Sequence, residues 1–311
     1  MEEELSSADL HVLRCGNTTA VVDPSRGGEI RSARLEGHEI LSVMSWPRTA
    51  PPDASAPDEH EFTYAWGGGW QLAFPNAGNV STYAGRRYGF HGDASLRPWQ
   101  VAEASDSSVL LEWTSGDLSV RRRTTALEDG LHVATEVSAL GEVPEPFIAV
   151  EHLILGGTVT DGGYRLDLPP VELVDLYDAG RRRSQWPGGI DESSGCAWDE
   201  VRVGAHVTRF GAAGPMPRGE LRVIPGALDA SLELTWDNKA LPHVWIWEEQ
   251  DGDQSPPWNG CTHALGIEPS MVPDDGGIGA AARSGNLSHV EPGAPRSWWI
   301  SLRLAELGSP L

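Results

Sequence analysis

Two histidines and one glutamate stand where the sequence predicts side chains able to move protons. His91 lies in Gly-Phe-His-Gly, where the neighbouring bare backbone leaves the ring accessible. His152 lies in the apolar run AVEHLILGG, so its imidazole is expected to be half-buried, with a tunable pKa. Glu268 closes the apolar run HALGIE before a proline, which predicts a carboxylate at the mouth of a strand.

A histidine and a glutamate that face each other across a cleft would make a general acid/base couple. A plainer interpretation stays open, because a lone histidine on an apolar strand is more often a hydrogen-bonded core residue. The two interpretations differ in one geometric expectation. A catalytic pair requires His152 and Glu268 to converge on a common cleft with His91.

Other chemistries have little support in the sequence. No two histidines are spaced two or four residues apart, and no carboxylate completes a three-ligand set, so no metal site is expected. The Gly-Gly-Gly run at 67–69 is not followed by the lysine or the glycine pattern of a phosphate-binding loop. No Gly-x-Ser-x-Gly elbow is present either. The sequence therefore predicts acid/base chemistry without a cofactor.

Tryptophan is unusually frequent, with 13 residues against 10 tyrosines and phenylalanines together (5 of each). Its flat apolar face and its N–H donor suit stacking against the ring of a sugar. Trp113, Trp298 and Trp299 are expected in the core. Five others stand beside glycine, proline or histidine and are candidates for ligand contact: Trp66, Trp70, Trp245, Trp247 and Trp258.

Composition limits the partners and the compartment. The formal charge is −22, from 45 acidic and 23 basic residues, which disfavours nucleic acid and anionic membrane surfaces as partners. No apolar run approaches the length of a membrane span, and the acidic first residues do not resemble a signal peptide. Three cysteines without ligand spacing fit a reducing compartment. We expect a cytoplasmic protein; its oligomeric state stays open.

The pattern of elements predicts an all-β fold. Many short runs alternate or are rich in β-branched residues, and turn residues separate them at regular intervals, which is typical of a large antiparallel β-sandwich or barrel. One domain is expected over 1–311. Residues 47–61 are expected to form an exposed loop and residues 160–200 a looser surface excursion, in which the arginines at 181–183 are solvated.

Ordered sequence blocks resemble the aldose 1-epimerase (galactose mutarotase)-like family over most of the chain. WGGGWQLAFPNAG and GFHGDASLRPW resemble its Gly-rich FPN segment and its His-Gly block. AVEHLILG resembles its second-histidine strand, and LPHVWIWEE with THALGIEPS resembles its glutamate block. EPGAPRSWWISLRL resembles its closing strand. The resemblance implies a galactose mutarotase-like supersandwich, whose concave face holds a small-molecule sugar.

The resemblance also implies roles for individual residues. Glu268 would be the general base that takes the proton of the anomeric hydroxyl, and His152 the general acid that protonates the ring oxygen. His91 would hydrogen-bond the sugar near that oxygen. Mutarotation needs only a matched proton donor and acceptor at one acetal. The implied activity is interconversion of the α and β anomers of a sugar.

Several candidate sugar contacts lie where the sequence departs from the family pattern. Asn76 keeps its place in the FPN segment, but Ala77 stands where the family has an arginine. Arg97, or one of the arginines at 86–87, is a candidate substitute. Asp237 is the candidate for the substrate-binding aspartate, and an ordinary turn aspartate is the alternative.

The substituted pocket leaves the sugar open, and two other functions remain compatible with the sequence. One is a non-catalytic carbohydrate-binding protein on the same fold. The other is a different isomerase or lyase that acts on a sugar-derived metabolite, since a fold does not determine a reaction.

Overall fold

The regular structure is almost entirely β-strand. A computed structural model describes residues 10–52 and 56–307 of the chain. In chain order the strands of these residues are β1 (His11–Cys15), β2 (Thr18–Asp23), β3 (Glu29–Leu35), β4 (His38–Glu39), β5 (Trp70–Ala73), β6 (Ser81–Tyr83), β7 (Arg86–Tyr88), β8 (Gln100–Ala104), β9 (Ser108–Ser115), β10 (Leu118–Leu127), β11 (Gly130–Ala139), β12 (Glu145–Phe147), β13 (Val150–Gly156), β14 (Tyr164–Asp167), β15 (Val171–Asp175), β16 (Arg183–Trp186), β17 (Glu200–Val201), β18 (Val207–Ala213), β19 (Glu220–Pro225), β20 (Ala230–Trp236), β21 (His243–Gln250), β22 (His263–Ser270), β23 (Ser288–Val290) and β24 (Arg296–Glu306). The helices are α1 (Glu59–Ala65), α2 (Gly277–Ser284) and a 3-10 turn at Gly157–Val159.

Two large antiparallel sheets carry the fold. The first has the order β1-β2-β3-β5-β13-β22-β21-β18-β15-β16, with β4 paired to β3 at the side. The second has the order β17-β14-β19-β20-β24-β11-β10-β9-β8. Two short ribbons, β12-β23 and β6-β7, lie outside them. The prediction of a large antiparallel β-sandwich is confirmed.

Alternation along the strands separates the core from the surface. In β10, Val120 and Ala126 are buried, whereas Arg121 and Arg123 between them point to the outer face of the second sheet. Strand β13 differs, because all seven of its residues are buried. One of its faces packs against the second sheet, and its other face is covered as well. A strand buried on both sides explains why VEHLILG is almost continuously apolar.

A buried ion pair joins the two sheets at β13. Arg122 of β10 contacts Glu151 through both carboxylate oxygens, at 2.8 Å and 2.7 Å. The indole N–H groups of Trp70 and Trp298 also donate to this carboxylate, at 2.9 Å and 2.8 Å. Burial alone would raise the pKa of Glu151, but Arg122 and the two indoles hold that pKa below its ordinary value. Since Glu151 faces the second sheet, its neighbour His152 faces the opposite way.

Two segments are more regular than the sequence analysis predicted. Within 47–61, residues 53–55 lie outside the described residues, and α1 begins at Glu59. Asp58 caps this helix in a capping box with Glu61, a signal that the loop prediction missed. Within 160–200, three strands (β14, β15 and β16) extend the two sheets. The arginines at 181–183 are all exposed, as predicted, and each also pairs with a carboxylate.

Tryptophan and cysteine positions were partly predicted. Trp113 and Trp298 are buried, as expected, but Trp299 is 39% exposed and stacks on His132 on the outer face of the second sheet. The three cysteines are free thiols. In the described ranges, no helix is long and apolar enough to cross a membrane.

Candidate active site

A cleft of about 200 Å³ lies on the face of the first sheet that points away from the second sheet. Its wall is mostly aromatic: Phe62, Trp66, Phe90, Tyr177, Phe210, Trp245, Trp247 and Trp258. Its polar groups come from seven side chains: Glu59, Thr63, Asn79, His91, His152, Glu268 and Asp275. The three residues predicted to move protons therefore line one cleft, which is the geometric requirement for a catalytic pair.

His152 and Glu268 lie side by side on neighbouring strands. Strands β13 and β22 are antiparallel, and the paired residues on either side place position 152 opposite position 268. On its other side, Glu268 is paired with Trp245 of β21. Because directly opposite residues project from the same face of a sheet, these three side chains form one row across the cleft floor.

Glu268 is a buried carboxyl group without a partner. The residue is 3% exposed, and within the described part of the chain no group donates a hydrogen bond to its carboxylate. Burial therefore raises the pKa of Glu268 well above its ordinary value. A buried carboxyl without donors is costly for folding, so its position points to a role with a ligand.

The carboxyl group of Glu268 occupies space that is open because residue 266 is a glycine. Gly266 precedes Glu268 by two residues on the same face of β22. A Cβ atom on Gly266 would lie only 2.5 Å from Oε1 of Glu268, and 3.2 Å from atoms of Ile154 and Trp247. The carboxyl group thus leans back along its own strand over a position that has no side chain.

His152 is buried beside aromatic rings. It is 6% exposed, and its ring centroid lies 4.7 Å from that of His91 and 5.2 Å from that of Trp66. Burial lowers the pKa of His152 to about 3, so the imidazole is neutral in the empty cleft. Among the described residues, no group hydrogen-bonds to its buried Nδ1 atom or to the buried Nε1 of Trp66.

His91 stands in a strained turn. Its φ of 55° is left-handed, and the backbone N–H of Gly78 donates to its Nδ1 at 3.2 Å. In the neutral ring, Nε2 therefore carries the hydrogen and is the donor. Burial, and to a lesser degree the neighbouring His152, lower the pKa of His91 well below its ordinary value. The turn thus holds a neutral imidazole with one N–H for a ligand.

Asn76 shapes the cleft without lining it. Its side-chain amide donates to the carbonyls of Gly89 at 2.7 Å and Asn79 at 3.0 Å, and its Oδ1 accepts from the N–H of Ile278 at 2.7 Å. These bonds tie the loop that carries His91 to the start of α2. The prediction that Asn76 contacts the sugar is replaced by a structural role, because both ends of the amide are already bonded to backbone.

Three other predicted sugar contacts also lie outside the cleft. Trp70 projects into the core and donates to Glu151. Arg97 is half-buried in the turn after His91 but is not part of the cleft lining. Asp237 accepts from the backbone N–H of Lys239 at 3.1 Å, as a turn aspartate does, and lines a separate groove on the second sheet. Of the predicted binding residues, His91, Trp245 and Trp247 line the cleft.

The sequence analysis missed part of the wall. Phe62 and Glu59 come from α1, whose capping box was the available signal. Tyr177 follows β15 in the segment expected to be loose, and Asp275 precedes α2. No local pattern indicates that these loops fold over the cleft. In the described residues, no cluster of His, Cys, Asp and Glu side chains is arranged to hold a metal ion.

Comparison with known proteins connects the fold to solved structures. No protein-family model and no curated protein matches the sequence. The chain is similar in structure to the Slr1438 protein from Synechocystis sp. PCC 6803, with 17% identity, a TM-score of 0.67 and 96% of each chain covered. It is similar to a galactose mutarotase related enzyme from Lactobacillus acidophilus, with 15% identity, a TM-score of 0.67, and 97% of this chain and 100% of that chain covered.

A galactose mutarotase-like protein from Lactobacillus casei ATCC 334 is similar over 95% of this chain and 99% of that chain, with 15% identity and a TM-score of 0.65. These likenesses establish the fold: the chain folds as the aldose 1-epimerase and galactose mutarotase-like proteins do. The predicted resemblance in fold is confirmed.

Proposed function

We propose that this protein interconverts the α and β anomers of a sugar by opening and closing its ring. The observation that carries the proposal is the row in which His152 and Glu268 stand opposite each other, buried and without hydrogen-bond partners among the described residues, in one cleft with His91. A buried acid and a buried base that form no hydrogen bond to other described residues are suited to exchange protons with a ligand.

Ring opening requires two proton transfers at one acetal. One group takes the proton of the anomeric hydroxyl, the bond from the anomeric carbon to the ring oxygen breaks, and the other group protonates that oxygen. Rotation about the bond between the first two carbons then presents the other face of the aldehyde, and both proton transfers reverse on closure. We propose Glu268 as the base, His152 as the acid, and the N–H of His91 as a donor to the sugar.

The two groups together must hold one proton for this reaction. Burial favours neutral His152 and protonated Glu268, which places one proton on the pair. A sugar hydroxyl that donates to Glu268 would stabilise its carboxylate and so favour transfer of the proton to His152. Binding of the sugar would thereby leave Glu268 deprotonated and able to act as the base, with the proton on His152.

The aromatic wall fits a sugar ring. Trp247 and Trp258 lie 5.4 Å apart between ring centroids, inclined at 52°, and Trp66 lies 6.1 Å from Trp247. Such rings offer flat apolar faces to the C–H groups of a pyranose, while the polar side chains meet its hydroxyl groups. A cleft of about 200 Å³ suits one small ring rather than an oligosaccharide.

Proton NMR of freshly dissolved single anomers tests the proposal. Equilibration of α-D-glucose, α-D-galactose and other aldoses is followed with and without the purified protein, and the acceleration should increase in proportion to protein concentration. A protein that binds a sugar, by quenching of tryptophan fluorescence, but accelerates no anomer exchange would be a binding protein. That result would refute the proposal.

The rate should depend on pH through Glu268 and not through an ordinary histidine. The pair loses its only proton as the pH rises through the raised pKa of Glu268, and it gains a second proton only near the pKa of His152, about 3. We therefore expect kcat/KM to fall as the pH rises through the raised pKa of Glu268, and to show no acid limb until the pH approaches about 3. A pH series corrected for uncatalysed mutarotation measures this, and an acid limb well above that pH would contradict the assignment.

Substitution of Gly266 by alanine should displace the carboxyl of Glu268. The added Cβ would meet Oε1 at 2.5 Å, so the carboxyl must move, and a misplacement of about 1 Å can reduce a rate by about a hundredfold. The backbone of Gly266 is not left-handed, so alanine fits the strand itself. The matched control is the same change in Glu268→Gln protein, where the rate should fall little further. If Gly266→Ala reduced the rate equally in wild type and in Glu268→Gln protein, its effect would not pass through the Glu268 carboxyl group.

A further inference from the structure

The titratable side chains that line the cleft, apart from its two histidines and Tyr177, are acidic. They are Glu59, Asp275 and Glu268, whose raised pKa favours its neutral form, and in the part of the chain that the structure describes no lysine or arginine lines the cleft. The neighbouring imidazoles add no positive charge, because the pKa values of His91 and His152 are both lowered. A sugar phosphate or a sugar acid would therefore meet no cation in the lining, and Arg181 beside it is already paired with Asp275, whereas a positively charged ligand would be favoured.

The rim carries a net negative charge after its contacts are counted. Arg181 pairs with Oδ1 of Asp275 at 2.7 Å, and Asn79 donates to Oδ2 at 3.2 Å, so the charge of Asp275 is partly offset. Glu59 is exposed in the first turn of α1, and among the described residues no cation pairs with it.

The aromatic wall adds a second attraction for a cation. Trp66, Trp247 and Trp258 have mutually inclined rings, with centroid separations of 5.4 to 6.4 Å. Ring faces attract an ammonium group, most strongly those of tryptophan and where water is excluded. Aromatic faces and acidic groups thus surround a space the size of one sugar ring.

We propose that the cleft selects a monosaccharide that carries a protonated primary amine, in preference to neutral and acidic sugars. This inference rests on the proposed function, because it takes the cleft to be a sugar site. The carboxylates of Glu59 and Asp275 supply the charge complementarity. The tryptophan faces hold the ring and its ammonium group, and His152 and Glu268 remain free for the anomeric centre.

Quenching of tryptophan fluorescence at about pH 6, where a primary amine is protonated, measures the affinities. The probes are D-glucosamine, its isomer with the amine on the exocyclic carbon, D-glucose and N-acetyl-D-glucosamine. We expect one of the amines to bind at least about fivefold more tightly than glucose, the ratio that one cation–π contact supplies, and acetylation to remove the gain. Added salt should weaken the amine more than glucose.

A variant and its matched control locate the charge effect. Glu59→Gln should reduce the advantage of the amine over glucose. Glu142→Gln removes the same charge from an exposed residue that does not line the cleft, and should leave the advantage unchanged. Equal effects of the two variants would attribute the preference to the overall charge of the protein and would overturn the inference.

The same sugars, followed by NMR, separate this inference from the proposed function. Anomer exchange that is accelerated without any preference for an amine would overturn the inference and leave the function standing. A preference for the amine without acceleration of any sugar would support the charge selection and contradict the function. N-acetyl-D-glucosamine binding as tightly as glucosamine would show recognition of bulk, and would also overturn the inference.

Discussion

Replacement of Glu268 by glutamine is expected to slow anomer exchange at least about a hundredfold, the lower end of what one general acid/base group contributes. Glutamine preserves the shape of the side chain but cannot take or give the proton of the pair. The residue is buried and has no hydrogen-bond donor in the described chain, so the change breaks no ion pair. It also removes a buried ionisable group, and we expect no loss of stability. Polarimetry of a fresh anomer measures the rate.

Companion variants distinguish proton transfer from general damage. His152→Ala should produce a loss of similar size, because the reaction needs both groups. Asp237→Asn should have no effect, since Asp237 lies in a turn of the second sheet where asparagine makes the same contacts. A Glu268→Gln protein that keeps more than about a tenth of the wild-type rate would remove Glu268 from the reaction.

Replacement of Arg122 by methionine is expected to cost about 3–5 kcal/mol in the free energy of unfolding. The change removes the partner of Glu151 and leaves its charge buried between the sheets, with only the indole donors and Thr135. Urea denaturation measures the loss. Restoring neutrality with Glu151→Gln in the same protein should recover part of it, because the uncompensated charge is the main cost.

The neighbouring arginine gives a matched control. The side chain of Arg121 is 48% exposed and pairs with Glu112 on the outer face, so Arg121→Met should cost less than about 1 kcal/mol. The pH dependence adds a further check. In the wild type, the lowered pKa of Glu151 contributes stability above its unfolded pKa, and this is lost as the pH falls through the folded pKa. The deficit of Arg122→Met should therefore shrink in acid. A constant deficit, or equal losses for the two arginines, would contradict the account.

The buried surroundings of His152 and Glu268 could be predicted because local sequence determines them. His152 interrupts a continuous apolar run, which indicates a strand covered on both faces, and Glu268 closes a similar run before a proline. Successive side chains of a strand point to opposite faces of the sheet, so Glu151 and His152 were bound to lie on opposite faces. The sequence did not contain the register between β13 and β22, which brings the two residues together.

The errors concern residues whose role depends on distant contacts. Trp70 was predicted to contact a sugar because it follows three glycines. Its indole N–H instead donates a hydrogen bond to the buried carboxylate of Glu151. Asn76 has the family position, yet its amide is bonded to three backbone groups, one in its own loop and two in other segments. Tyr177 and Asp275 reach the cleft through loops that carry no periodic pattern. The position of such loops relative to the cleft cannot be predicted from local secondary-structure propensity.

The most direct test of the central claim is polarimetry on one accepted sugar, with wild type and Glu268→Gln compared at equal concentrations of folded protein. Anomer equilibration that wild type accelerates in proportion to its concentration, and that Glu268→Gln does not accelerate above the buffer rate, is the expected result. Equal rates for the two proteins, whether both fast or both at the buffer rate, would contradict the assignment of this cleft to ring opening.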